Sequence, residues 1–302
     1  MSVVLMFPGL GSEYPELLAR QCAEDPQAAE RLADWRERLG VPLTDTPPAD
    51  PRARELARQM AIHAVNLLAW ERHGAAYPQA AVCGHSLGFY AAAVAAGALD
   101  ADASFAWIDA VFERAWAHFE HDTDCVYVLT ARDTLDGPAL AAAWGVELLA
   151  VNGPCQIVVY GAPAVLEALC AALAGRLVRH GPLGSCCPFH SVRMAPVCVE
   201  VAHWLAASGL QPRAPQRPLW SHLDATRLMD AEAVRATLIT QPQLRVRWDA
   251  LIGRLAADGH DTFVELGPNR ILAQAARWIV PGSLTVLSTD SARRIRRAGS
   301  PA

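Results

Sequence analysis

The sequence predicts an α/β protein whose large domain, residues 1–123 and 187–302, carries a small inserted subdomain at about 124–186. Two observations carry the prediction. Val82 to Ala91 reads V-C-G-H-S-L-G-F-Y-A, an apolar run, a glycine-flanked serine and an alanine-rich stretch, which suits a strand, a sharp turn and a helix. From Cys125 the texture changes, and short β-rich runs alternate with helical ones in the order βαββαβ, a ferredoxin-like unit.

Taken in order, Val3 to Met6 reads as a buried strand, and the glycine-rich turn Phe7-Pro8-Gly9-Leu10-Gly11-Ser12 follows it. Such a turn places backbone N–H groups at the carboxyl end of a strand, where open α/β sheets build their sites. It lacks both G-x-x-x-x-G-K-[ST] and the full G-x-G-x-x-G, which argues against a phosphate cradle or a dinucleotide site. Helical spacing runs from Pro15 to Leu39, a proline-rich loop from Pro42 to Pro51, and helical spacing again from Ala53 to His73. The strand before Ser86 follows, then a helix that ends near Gly97. In the inserted unit Val126 to Thr130 is a strand, Leu135 to Trp144 a helix, and Val146 to Val151 and Gln156 to Tyr160 a pair of strands. A helix over Ala164 to Gly175 and a strand over Leu177 to His180 complete it. A basic tail, Arg293-Arg294-Ile295-Arg296-Arg297, lies near the end of the chain.

Composition narrows the class of function. With 52% hydrophobic and 19% charged residues spread through 302 positions, no long uncharged run suggests a membrane span. The chain passes from Met1 into an apolar run without a basic leader, so no secretory signal is expected and a cytoplasmic location is the default. A net charge of −5 argues against nucleic-acid binding. Lysine is absent and every basic side chain is arginine, which excludes a lysine Schiff base. The eight cysteines show no C-x-x-C pair, so they read as small buried hydrophobes and no metal is expected.

Ser86, inside Gly84-His85-Ser86-Leu87-Gly88, is the candidate nucleophile, standing on a turn that a Cβ at either glycine would obstruct. G-x-S-x-G also occurs in ordinary strand-to-helix turns, so a base must be found for it. Among ten histidines His190 stands out, because Cys187-Pro188-Phe189-His190-Ser191 follows the end of the inserted unit, where a residue can face a cleft. His85 points the wrong way for a base if the turn is an elbow, and is placed in the pocket lining.

These segments resemble the malonyl-CoA:acyl-carrier-protein transacylases and related polyketide-synthase acyltransferases. The resemblance rests on Phe7-Pro8-Gly9-x-Gly11-Ser12, Gly84-His85-Ser86-Leu87-Gly88, Val151-Asn152-x-Pro154-x-Gln156, Phe189-His190-Ser191, Gln241 seven residues before Trp248, and Glu265-x-Gly267-Pro268, in the family's order. It implies an α/β-hydrolase-like core with a ferredoxin-like subdomain. It also implies Ser86 as the acylated nucleophile, His190 as general base, and Gln241 as acceptor for the other ring nitrogen of that histidine. The backbone N–H groups of Leu10 and Leu87 take the oxyanion-hole positions. Gln59, Asn152 and Phe189 match positions near the pocket.

Departures from the family pattern bear on substrate. Malonyl-specific members carry an arginine on a helix after the elbow that pairs with the free carboxylate of the acyl group. Counting on from Ser86 places Val111 there, where a carboxylate would be left desolvated and unpaired. Arg114, one helical turn further on, is the alternative partner. Leu10 replaces the usual glutamine of the N-terminal turn but keeps its backbone donor, and Phe89 stands where glutamate is common, either lining the mouth or packing beneath the helix.

The expectation is a monomeric serine acyltransferase that needs no cofactor and moves an acyl group lacking a free carboxylate between phosphopantetheine thioesters of acyl carrier protein or coenzyme A. An acyl-carrier thioesterase on the same scaffold and a malonyl transferase using a different arginine are the rivals within the fold. A non-catalytic carrier-docking module is the rival from another class. Arg193, Arg245 and Arg247 are candidate contacts for an acidic carrier.

Overall fold

The computed structural model describes residues 2–13, 15–280 and 285–289; the basic tail Arg293–Arg297 lies outside them. The strands are β1 Val3–Phe7, β2 Ala81–Gly84, β3 Cys125–Ala131, β4 Glu147–Gly153, β5 Gln156–Gly161, β6 Leu177–Pro182, β7 Leu219–Trp220, β8 Arg227–Leu228, β9 Val246–Arg247, β10 Thr262–Glu265 and β11 Thr285–Ser288. The helices are α1 Leu17–Glu24, α2 Pro26–Leu39, α3 Pro51–His73, α4 Gly88–Ala95, α5 Ala101–Phe119, α6 Gly137–Trp144, α7 Pro163–Ala172, α8 Ala195–Ser208, α9 Ala231–Thr240, α10 Trp248–Ala257 and α11 Ile271–Ile279.

Two sheets organise these elements. The larger has the order β11-β10-β1-β2-β7-β8, parallel from β11 through β7, with β8 antiparallel at one edge. Strands buried on both faces read as continuous apolar runs, as Val4–Phe7 and Ala81–Cys83 do, and these side chains are almost wholly buried. The smaller sheet has the order β6-β3-β5-β4-β9, with α6 and α7 supplying the helical steps of the βαββαβ run over 125–182.

The smaller sheet draws a strand from outside that run. β9 pairs in parallel with β4 at Ala150↔Val246 and Val151↔Arg247. The segment carrying Gln241 is thereby tied to the small sheet, which a reading by local periodicity misses because two residues have no period. Helical spacing from Pro15 to Leu39 likewise proves to be two helices. Asp25 accepts from Gln27 N–H at 3.0 Å and Pro26 takes the first helical position, so a cap and a residue without an N–H divide the run. α3 begins two residues before the predicted start, because Asp50 caps it by accepting from Ala53 N–H at 2.7 Å.

Register places the functional loops. Phe7 pairs with Gly84 and Met6 with Glu265, so β1, β2 and β10 end side by side. The turns that follow, Pro8–Gly11, His85–Leu87 and Gly267–Pro268, therefore crowd one carboxyl edge. His85 N–H donates to the Phe7 carbonyl at 2.9 Å, extending the β1–β2 ladder into the turn.

Candidate active site

Ser86 sits between β2 and α4 with φ of 54°, in the left-handed region, which costs a non-glycine residue about 1–3 kcal/mol. The flanking glycines are required by space: a Cβ on Gly84 would lie 2.2 Å from the Gly88 carbonyl, and one on Gly88 2.0 Å from the Phe7 oxygen. The strained turn holds the hydroxyl out from the strand's end, where Ser86 Oγ meets His190 Nε2 at 2.7 Å.

His190 is itself strained, with φ of 74°. Its N–H donates to the Pro242 carbonyl at 2.6 Å, and Nδ1 lies 3.0 Å from the Leu244 carbonyl. A carbonyl only accepts, so Nδ1 carries the proton and Nε2 is the acceptor facing Ser86 Oγ. On the following turn Ser191 Oγ and Val192 N–H donate to the Glu147 carboxylate at 2.5 and 2.8 Å, pinning the His190 loop to β4. Burial, with His85 adding repulsion, lowers the His190 pKa to about 4, so the imidazole is neutral at neutral pH.

Among the described residues the Gln241 side chain makes no hydrogen bond to the His190 ring, whose nitrogens meet Ser86 Oγ and the Leu244 carbonyl. Gln241 opens a 3-10 turn, Gln241–Gln243, and is buried in the wall of the cavity that Ser86, Tyr90 and His190 also line. The turn instead delivers Leu244, three residues later, whose main-chain oxygen takes the orienting position. Sequence offered no signal for Leu244, since a carbonyl has no side-chain signature.

Leu10 and Leu87 line one cavity with Ser86 and His190. Gly9 passes so close to the elbow that a Cβ there would lie 2.6 Å from the His85 carbonyl and 3.4 Å from Ser86 Cβ. Among the described residues neither Leu10 N–H nor Leu87 N–H enters a hydrogen bond.

A cavity of 30 Å³ opens on this group, lined by Gln59, Tyr90, Ile108, Val111 and Phe189 together with Ser86 and His190. Among the described residues its lining includes no arginine. Val111, on α5, is nine-tenths buried and lies in this wall as expected. Arg114 turns away from it: the guanidinium donates to the Ala110 carbonyl at 2.8 Å and stacks 5.9 Å from the Trp204 ring.

Phe89 belongs to the core and not to the mouth of the site. It is fully buried, its ring 5.2 Å from that of His222. On a helix starting at Gly88, the residue after the glycine faces the sheet, so size and apolarity take it inward. His222, which sequence reasoning missed, follows β7 at the same carboxyl edge, 6.1 Å from the His190 ring, and burial holds it well below the usual imidazole range. Among the described residues neither of its ring nitrogens has a hydrogen-bond partner.

His85 and Asn152 lie on the other side of Ser86. His85 Nε2 and Asn152 Oδ1 are 2.8 Å apart, Asn152 Nδ2 donates to Gln156 Oε1 at 2.9 Å, and Gln156 Nε2 donates to Thr130 Oγ1 at 2.9 Å. This chain of contacts holds the ring edge-on to Trp248, centroids 5.4 Å apart. His85, Asn152, Arg179 and Trp248 line a second cavity of 100 Å³ that meets the first at Leu10.

Of the three candidate docking arginines, Arg193 is committed within the chain. It pairs with Asp122 at 2.9 Å, donates to the Tyr160 hydroxyl, and stacks on the Phe119 and Tyr160 rings. Arg245 and Arg247 are exposed. Among the described residues no helix is long and apolar enough to cross a membrane.

The geometry predicts an acid limb in the pH dependence of Ser86 acylation. His190 accepts a proton only when neutral, so the rate should stay level down to mildly acidic pH and fall as pH drops toward about 4, well below the 6.5 of a free imidazole. Gln241→Ala should leave that limb in place, because the Leu244 carbonyl orients the ring. Single-turnover acylation rates across pH check both points; a limb near 6.5, or one displaced by Gln241→Ala, contradicts them.

The acyl transferase domain family matches residues 57–282, three-quarters of the chain. The malonyl CoA-acyl carrier protein transacylase of Escherichia coli K12 is 30% identical over 290 residues, covering 91% of this chain and 92% of that protein. A polyketide synthase of Streptomyces halstedii is 33% identical over 291 residues, 89% of this chain but 4% of the synthase. Among solved structures, a transacylase of the same name from Xanthomonas oryzae superposes with a TM-score of 0.84 at 26% identity, covering 98% of this chain and 99% of that one. A malonyl-transacylase in complex with its type II polyketide-synthase acyl-carrier protein gives 0.82 at 26%, covering 95% and 94%. With its two sheets and its elbow at Ser86, the chain belongs to the acyl transferase domain family and is an acyltransferase by descent.

Proposed function

We propose that the protein transfers an uncharged acyl group between phosphopantetheine thioesters, carried on acyl carrier protein or coenzyme A, by a ping-pong route through Ser86. The observation that carries the reading is the 2.7 Å contact of Ser86 Oγ with His190 Nε2, a nitrogen left free to accept by the Leu244 carbonyl. Ser86 Oγ attacks the thioester carbonyl while His190 Nε2 takes its proton. The carbonyl oxygen, now carrying the negative charge, receives the Leu10 and Leu87 N–H groups. As the intermediate collapses the C–S bond breaks, His190 returns its proton to the leaving thiolate, and an ester remains on Ser86. A second pantetheine thiol then gives its proton to His190 and attacks the ester, restoring the serine.

A neutral carbonyl as orienter suits this chemistry. Thioesters are more reactive toward nucleophiles than amides, so the imidazolium formed in the transition state needs less stabilisation than a carboxylate partner supplies. The preference for an uncharged acyl group rests on Val111, on the absence of arginine from the cavity wall, and on the engagement of Arg114 elsewhere. A carboxylate placed against that wall would be desolvated and unpaired, at a cost of several kcal/mol.

The nucleophile is tested by intact mass after mixing with an acetylated carrier. The unaltered protein should gain one acetyl mass and surrender it to a second carrier thiol. Ser86→Ala should gain none, and His190→Ala should acylate about two to four orders of magnitude more slowly. An adduct on Ser86→Ala overturns the assignment, and loss of the acetyl to water in preference to the thiol makes the protein a hydrolase.

For the carrier, Arg245 and Arg247 are the exposed cations on the segment that also holds Gln241 and Leu244, and an acidic carrier surface would find them beside the site. Reversing both to Glu should slow transfer from an acyl carrier at least tenfold and leave a small acyl-pantetheine thioester unaffected. Equal losses on the two substrates exclude this docking face.

A further inference from the structure

Beside the His190 loop lies a cluster that acyl transfer does not use. Glu55, in the second turn of α3, is 7% exposed, and among the described residues it has no ion pair. The neighbouring cation, Arg58, is turned to Glu13 at 2.6 Å and to the Leu183 and Gly184 carbonyls at 3.0 and 2.9 Å. Around the Glu55 carboxylate stand the Ser185 hydroxyl, the Cys186 N–H at 3.3 Å and the Cys186 Sγ at 3.3 Å, with Cys187 Sγ 3.7 Å from Cys186 Sγ. A buried carboxylate without a cation is costly, and the common remedies are a paired charge or a metal.

We propose that Glu55, Cys186 and Cys187 form a binding site for a borderline-soft divalent cation of the zinc type, with three protein ligands and one position open to water. The spacing carries the proposal. Two thiolates at about 2.3 Å from a tetrahedral zinc stand about 3.8 Å apart, and a thiolate and a carboxylate oxygen about 3.6 Å apart. The corresponding distances before any metal is considered are 3.7 and 3.3 Å, and the ligand atoms of all three residues lie within 4.8 Å of one another. Little movement is needed to admit an ion. Both thiols lose their protons to solvent on binding, so the two thiolates and the carboxylate hold the cation with one net negative charge. Adjacent cysteines escape the C-x-x-C pattern, which is why spacing in the sequence gave no metal site.

The ion would join α3 to the loop that ends at His190. Cys187 also lines a 50 Å³ cavity that includes Ser86 and His190, so the site is within reach of solutes that enter the cleft. Its existence does not depend on the acyl-transfer reading.

The test is titration of reduced, metal-stripped protein with Zn²⁺ against a chromophoric chelator, and with Co²⁺ followed by absorption. One equivalent should bind, and Co²⁺ should show an intense near-ultraviolet thiolate-to-metal band with the visible pattern of a tetrahedral ion. Glu55→Gln, nearly isosteric, should weaken Zn²⁺ binding at least tenfold. Cys186→Ser, at a half-buried position, should lower the thiolate band by about half and weaken binding further, with an unchanged melting curve in the absence of metal showing that the fold persists. Absence of a stoichiometric site in the unaltered protein overturns the proposal. So does a thiolate band or a Zn²⁺ affinity that both variants leave unchanged, because the ion would then sit on other residues.

Discussion

The site depends on how closely two backbone turns approach at the carboxyl edge of the large sheet. Phe7 and Gly84 are partners in register, His85 N–H bonds the Phe7 carbonyl, and Gly88 and Gly9 have no room for a side chain. This crowding forces Ser86 into the left-handed region and keeps it there, since relaxing the turn would drive α4 into β1. The strain of about 1–3 kcal/mol is offset by burial of β1, β2 and α4 in one apolar core. The same approach brings Gly9 against the elbow, where a Cβ on it would lie 3.3 Å from Leu87 N and 3.4 Å from Ser86 Cβ.

The base comes from a different part of the chain and is held by main-chain groups on both sides. Pro242 accepts from its N–H and Leu244 from its Nδ1, while Glu147 anchors the turn that follows. β9 explains why these groups are available, because its pairing with β4 fixes the 241–247 segment against the small sheet. Backbone carbonyls are positioned by the fold as a whole, which makes the orienter insensitive to side-chain identity. His222 adds a second buried ring 6.1 Å away, and burial is the main cause of the low His190 pKa.

What was legible in the sequence were features encoded by residue type. The elbow, the apolar strands and the alternating texture of the inserted unit were all readable, because glycine, β-branched residues and helical periodicity report local conformation. Ser86 and His190 were recoverable from motif and position, and Val111 from counting along an ungapped stretch. Three features were not. The helix break at Asp25 depends on a cap inside a run whose spacing is helical throughout. The outward or inward fate of Phe89 depends on the tilt of α4 on the sheet, and the geometry favours the core. Gln241 carries the family's motif, yet the 3-10 turn sends its side chain to the cavity and gives the histidine to the Leu244 carbonyl, a group that one-dimensional patterns do not reveal.

The proposed preference for an uncharged acyl group rests on Val111, which lines the chamber with Ser86 and His190, and on the engagement of Arg114 with Ala110 and Trp204. The most direct measurement offers the unaltered protein an equal mixture of acetyl and malonyl thioesters on one carrier and weighs the acyl-enzyme on the millisecond-to-second scale. Acetyl-Ser86 should form first and exceed malonyl-Ser86 at least tenfold. A malonyl adduct in excess would contradict it and would mean that a cation reaches the chamber during turnover.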